Sequence, residues 1–112
     1  MSKLLIVWKS DNLTDINTFV IPYAYNAKTR EWFEDVEVLI WGASQEAVME
    51  STIVQQRVQN LIKNEIKVVA CKMCANNTGA LELLESLGVE VYFTGQYLTE
   101  KIKDKDTEII YI

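Results

Sequence analysis

Lys3-Leu4-Leu5-Ile6-Val7-Trp8 is continuously apolar after its first residue, short, and partly β-branched. A half-exposed strand would alternate apolar and polar residues. This run does not, so it reads as a strand buried on both faces, the situation of a parallel sheet covered by helices. The same reading extends along the chain. Asp35 to Trp41 forms a second strand ended by the turn at Gly42, Ile66 to Ala70 a third, Val89 to Phe93 a fourth, and Glu108 to Ile112 a fifth.

Helical patterns fill the gaps. From Thr14 to about Trp32, the residues Ile16, Phe19, Val20, Tyr23, Ala24 and Ala27 fall on one helical stripe. Pro22 lies inside it and calls for either a kink or an irregular first turn before a helix starting near Pro22. The sequence leaves both open. Ser44 is placed to cap a short helix carrying Glu46, and Thr52 with Gln55 has capping-box spacing for a longer one. In that longer helix Ile53, Val54, Val58, Leu61 and Ile62 keep helical spacing as far as Ile66. Ala75 to Leu87 is expected to be one helix, with Leu81, Leu84 and Leu87 toward the sheet and Gly88 as its stop. Thr94-Gly95 turns the chain into a last helix, Gln96 to Lys103. Strands alternating with helices imply an α/β three-layer α/β/α sandwich with a five-stranded parallel sheet, flavodoxin-like in general appearance. Residues 1–112 form a single domain. The terminal strand is too apolar to be left in water, so it pairs in the sheet or at an interface, and its truncation is expected to unfold the domain.

Composition limits the chemistry. The chain has 112 residues, 49% hydrophobic and 24% charged, the size and balance of one globular domain. Its 11 basic against 16 acidic residues give a net charge of -5, which argues against nucleic acid as a partner. No apolar run approaches the roughly 18 residues of a membrane span. The start Met-Ser-Lys-Leu-Leu-Ile-Val-Trp lacks a small-residue cleavage site, and a cytoplasmic location is expected. Gly-rich phosphate loops are missing, and the loop Lys9 to Thr14 has no Gly and carries Asp11, so no cofactor is expected. There is no His, and both Cys lie in one tetrapeptide, Cys71-Lys72-Met73-Cys74. Mechanisms that require imidazole are excluded.

In open parallel sheets, function gathers where strands end and helices begin. That edge carries Trp8, Trp41-Gly42, Cys71 to Cys74, and Thr94-Gly95. Trp8, Trp41, Gly42, Lys72, Asn76, Thr94 and Gly95 are the expected rim of a pocket around Cys71. Cys71 leaves a strand and opens a helix, where free amides and the helix dipole favour a thiolate, with Lys72 as a nearby cation. Such a thiolate is a nucleophile without any His. Zinc would need four ligands, and two Cys fall short. A thioredoxin-like dithiol has the right local shape but follows an early strand beside a cis-Pro, whereas this motif follows the third strand and the only Pro is Pro22. A persulfide carrier uses the same exchange chemistry. A structural Cys pair in a non-catalytic binding or assembly module is the plainer reading.

The run Val68-Val69-Ala70-Cys71-Lys72-Met73-Cys74-Ala75-Asn76-Asn77-Thr78-Gly79-Ala80, followed by Leu87-Gly88-Val89-Glu90-Val91 and Thr94-Gly95, resembles the DsrE/DsrF-like family of small sulfur-relay proteins. The strand pattern of the whole chain agrees with that likeness. The resemblance implies a persulfide on Cys71, eight residues before Gly79, with Cys74 as a second or resolving thiol. It also implies a sulfur donor and acceptor protein, and a trimeric or hexameric homo-oligomer or related subunits. The 10% aromatic content offers residues for such an interface.

Overall fold

The computed structural model describes residues 2–112. The strands are β1 (Lys3–Trp8), β2 (Asp35–Ile40), β3 (Lys67–Cys71), β4 (Glu90–Tyr92) and β5 (Thr107–Tyr111). The helices are α1 (Leu13–Asp15), α2 (Ile21–Thr29), α3 (Ala43–Glu50), α4 (Thr52–Lys63), α5 (Lys72–Thr78), α6 (Leu81–Ser86) and α7 (Gly95–Lys103). All four strand pairings are parallel, in the order β4-β3-β2-β1-β5. The protein is thus an α/β/α sandwich of flavodoxin-like appearance.

Strand order determines how the layers fill. The chain steps from β1 to β2, β3 and β4 in one direction, so right-handed crossovers put the first six helices on one face. The return from β4 to the far side of β1 puts α7 alone on the other. The packing agrees with this. Leu4, Ile6, Trp8, Val36, Val38, Ile40, Val68 and Ala70 meet Ala24, Val48, Val58, Leu61, Ala75 and Leu84 in the larger core. Leu5, Val7, Leu39 and Val69 form the smaller core, covered by Tyr97 and Leu98 of α7. Continuous burial of β1 therefore has two causes, the helices of the first three crossovers on one side and one helix on the other.

The structure decides between the two readings at Pro22 and corrects several other local expectations. The second reading holds there, an irregular turn followed by a helix that begins beside Pro22. Ile16–Val20 winds as a π-helical turn between α1 and α2, in which the Ile21 amide donates to the Ile16 carbonyl, and Pro22 falls in the first turn of α2. The wider turn takes up the bend ahead of a residue that has no amide hydrogen. Ser44 is not the cap of α3. Gly42 holds that position at φ +71, a left-handed conformation that glycine adopts without penalty. The cap of α4 is Ser51, whose hydroxyl accepts from the Val54 amide, one residue before the expected Thr52. Gln55 instead donates to the Val48 and Met49 carbonyls. The expected helix over residues 75–87 is two helices, broken at Gly79 with φ +78.

Candidate functional site

Cys71 is the last residue of β3 and the N-cap of α5. Ala75 of α5 is buried in the larger core, so the chain leaves β3 toward that face. After β4 it turns the other way, through Phe93 and Thr94 into α7 over the smaller core. Neighbouring connections that part to opposite faces open a crevice at the carboxyl ends of the strands, the place where such sheets bind ligands. Cys71 lies at that point of the sheet, buried and paired in register with Tyr92. Ile40 pairs with Ala70, so Trp41 and Cys71 follow side by side, and Trp41 packs on the smaller core.

The surroundings treat the two thiols differently. Cys71 is 4% exposed and Cys74 half-buried, and both are free. Burial pushes the Cys71 thiol up. The Cys74 amide and thiol, the Thr94 hydroxyl and the Met73 amide outweigh this and hold its pKa below the ordinary thiol range. For Cys74, burial raises the pKa and the Gly42 amide lowers it, while the neighbouring Cys71 sulfur raises it again, leaving the thiol above its ordinary range. Cys71 is therefore the more readily ionised of the two thiols and Cys74 the less.

The rest of the expected rim divides. Gly42 supplies its amide to Cys74, and Thr94 is fully buried beside Cys71. The Lys72 ammonium lies 5.6 Å from the centroid of the Phe93 ring, a cation–π contact at the mouth of the crevice. Phe93 and Met73, the residue after Lys72, are both more than 60% exposed. Asn76 and Gly95 are exposed, on α5 and at the first position of α7. Trp8 does not belong to the rim. It is fully buried, pairs in register with Ile40 and faces the larger core, with Nε1 donating to the Ser10 carbonyl at 2.9 Å. Strand alternation explains this, since Trp8 shares the parity of Leu4 and Ile6, whereas Trp41 and Cys71 share that of Leu39 and Val69.

Ser44 and Gln45 were not legible as site residues. The Ser44 hydroxyl donates to the carbonyls of Trp8 (2.6 Å) and Trp41 (3.1 Å). Gln45 Nε2 donates to the carbonyl of Cys71 at 2.9 Å, and both side chains are fully buried. One dipeptide thus gathers the backbone at the ends of β1, β2 and β3 and sets the position of Cys71. The available signal was two polar residues on the inward side of α3, three residues from Ala47 and Val48 respectively.

A depression of about 340 Å³ lined by Lys67, Tyr92, Phe93, Gln96, Tyr97 and Glu100 adjoins the crevice. A larger one, about 560 Å³, lies at the amino ends of β2 and β3 among Lys28, Glu31, Glu34 and Glu65, far from either thiol. Among the described residues, no cluster of three or more Cys, Asp or Glu could hold a metal ion. No helix among them is long and apolar enough to cross a membrane.

No protein-family model and no curated protein matches the chain. Solved structures do. The ychN protein from E. coli matches with a TM-score of 0.74 at 19% identity, covering 100% of both chains. MTH1491 from Methanobacterium thermoautotrophicum, a protein of unknown function, matches with 0.78 at 16% identity, again over 100% of both. Those two likenesses are of fold. BT1422 from Bacteroides thetaiotaomicron, a conserved protein of unknown function, matches with a TM-score of 0.94 and 32% identity over 99% of this chain and 95% of that one. At that identity and coverage, the chain belongs to the family of the conserved Bacteroides thetaiotaomicron protein BT1422.

Proposed function

We propose that the protein carries sulfur as a persulfide on Cys71 and passes it to a protein thiol, the role implied by its resemblance to the DsrE/DsrF-like family. The observation behind this reading is a Cys71 sulfur in the crevice between β3 and β4, its pKa held below the ordinary thiol range by two backbone amides, the Cys74 thiol and Thr94. In the first step the Cys71 thiolate attacks the outer sulfur of a donor persulfide. A new S–S bond forms on Cys71, the donor S–S bond breaks, and the donor thiolate leaves with the electron pair. In the second step an acceptor thiolate attacks the outer sulfur held on Cys71 and releases the Cys71 thiolate. Neither step changes the overall count of electrons or requires an imidazole. Donor and acceptor are other proteins, and the chain works as a homo-oligomer, a trimer or hexamer.

Loading the protein with a sulfane donor and mapping the added mass by peptide spectrometry tests the reading. Trypsin cleaves after Lys72 and separates the two thiols into different peptides. One added sulfur is expected on the Cys71 peptide, and none in Cys71→Ser. A parent Cys71 that stays free of sulfur while remaining alkylatable defeats the proposal.

The C-x-x-C spacing and the mutual influence of the Cys71 and Cys74 thiols favour a second reading, a dithiol redox protein. Oxidation would join the two sulfurs with loss of two electrons and two protons to a disulfide-bearing partner. A reversible intramolecular disulfide together with insulin reduction would support it, and absence of both removes it.

A further inference from the structure

The Thr94 hydroxyl is buried without a hydrogen-bond partner among the described residues. Thr94 is the N-cap of α7, where a Thr side chain ordinarily accepts from an amide of the first turn, yet it makes no such bond. The residue is 1% exposed and its Oγ1 unpaired. Buried hydroxyls left in this state are destabilising, and their persistence calls for an explanation. The reactive neighbour of this hydroxyl is Cys71, which the sheet register pairs with Tyr92, two residues before Thr94, and whose thiol the hydroxyl influences.

We infer that Thr94 is a positioning residue, its hydroxyl kept unpaired in the thiol form so that it donates a hydrogen bond to the ionised sulfur of Cys71. A thiol gains little from such a neighbour, because S–H is a weak donor and sulfur a weak acceptor. A thiolate gains a charge-assisted bond in a site that water does not reach. The hydroxyl therefore discriminates between the two protonation states of Cys71. The same donor would hold the terminal sulfur of a persulfide anion. This inference rests on the reading of Cys71 as the reacting thiol.

The test compares Thr94→Val, which keeps the shape and removes the hydroxyl, with Thr94→Ser, which keeps the hydroxyl. Iodoacetamide alkylation of Cys71 is followed against pH by peptide mass spectrometry, alongside thermal unfolding of the reduced proteins. Thr94→Val is expected to move the alkylation midpoint up by about one pH unit, a tenfold smaller thiolate fraction below the midpoint. Thr94→Ser should keep the parent profile. Because the lost hydroxyl had no partner in the thiol form, Thr94→Val should melt no lower than the parent at pH values where the thiol is neutral. A Val profile that superimposes on the parent overturns the inference. So does a Val variant that fails to fold or melts well below the parent, since that would make the hydroxyl a structural group. No sulfur donor enters this measurement. A parent that refuses sulfur but shows the Thr94-dependent midpoint loses the sulfur-carrier reading and keeps Thr94.

Discussion

Cys71 and Cys74 are three residues apart and are driven in opposite directions. The Cys71 sulfur collects donors, whereas Cys74 lies beside a sulfur that favours negative charge. The sign of the effect on reactivity follows directly. A lowered pKa leaves more thiolate at a given pH, so Cys71 should be alkylated at pH values below those of an ordinary free thiol, and Cys74 only above them. Quantifying the two tryptic peptides across pH checks this order, and equal profiles would refute it. Gln45 makes a second prediction at this scale. Gln45→Leu removes the buried side-chain donor to the Cys71 carbonyl, a loss of about 1 kcal/mol in chemical denaturation. The Cys pair and its place at a strand end were legible from the residues alone, because a C-x-x-C after an apolar run is a local pattern. Gln45 and the exclusion of Trp8 were not, because both depend on which face of the sheet a residue occupies.

At the scale of elements, α7 is the exception. It covers the smaller core without a fully buried residue and is held by a polar cluster beneath it. The Tyr97 hydroxyl donates to Glu37 Oε1 at 2.6 Å, Lys101 bonds the other oxygen, and the Lys101 ammonium lies 5.5 Å from the Tyr97 ring centroid. Burial would raise the Glu37 carboxyl, but Lys101 and Tyr97 outweigh it and hold the pKa below the usual carboxylate value. A carboxyl whose pKa is lowered by folding stabilises the protein above the unfolded value of about 4.3 and loses that contribution as pH falls through the folded value. Glu37→Gln should therefore cost about 1–2 kcal/mol near neutral pH, with the difference from the parent vanishing in acid. Gly79 gives a cleaner backbone prediction. A Cβ there meets nothing within 4 Å, so Gly79→Ala should cost only the left-handed conformation, about 1–2 kcal/mol by urea denaturation. Most elements were readable from periodicity, since amphipathic stripes survive without tertiary detail. Their ends were less so. Ser51 and Thr52 are both of cap-forming type, and the cap is the residue whose backbone is extended at the turn after α3. Gly79 could stop a helix or merely weaken one, and its left-handed backbone is what ends α5 there.

For the whole molecule, strand order is decisive. The expectation that the last strand pairs in the sheet is met at an edge, where β5 lies beside β1. Ile110 and Ile112 reach the larger core and Ile109 the smaller one, while the Ile112 carbonyl accepts from the amides of Lys9 and Ser10. Removing residues 107–112 would uncover the edge of β1 and both cores at once. Loss of the cooperative thermal transition is expected, and a truncated protein that melts like the parent would contradict the packing. The same order places β3 beside β4 with their following helices on opposite faces, which puts Cys71 and Thr94 into one crevice.

The sequence by itself determined the layers and the chemistry. Apolar runs and helical stripes report burial locally, and a chain with two Cys and no His confines thiol chemistry to one tetrapeptide and excludes imidazole. Only the tertiary structure decided which side chains share that crevice. A strand turns alternate residues to opposite faces, and the order of strands sets which helix lies over each face. Those two facts carry Trp8 into the core and bring Trp41 and Thr94 to Cys71, and neither can be read from residues considered one segment at a time.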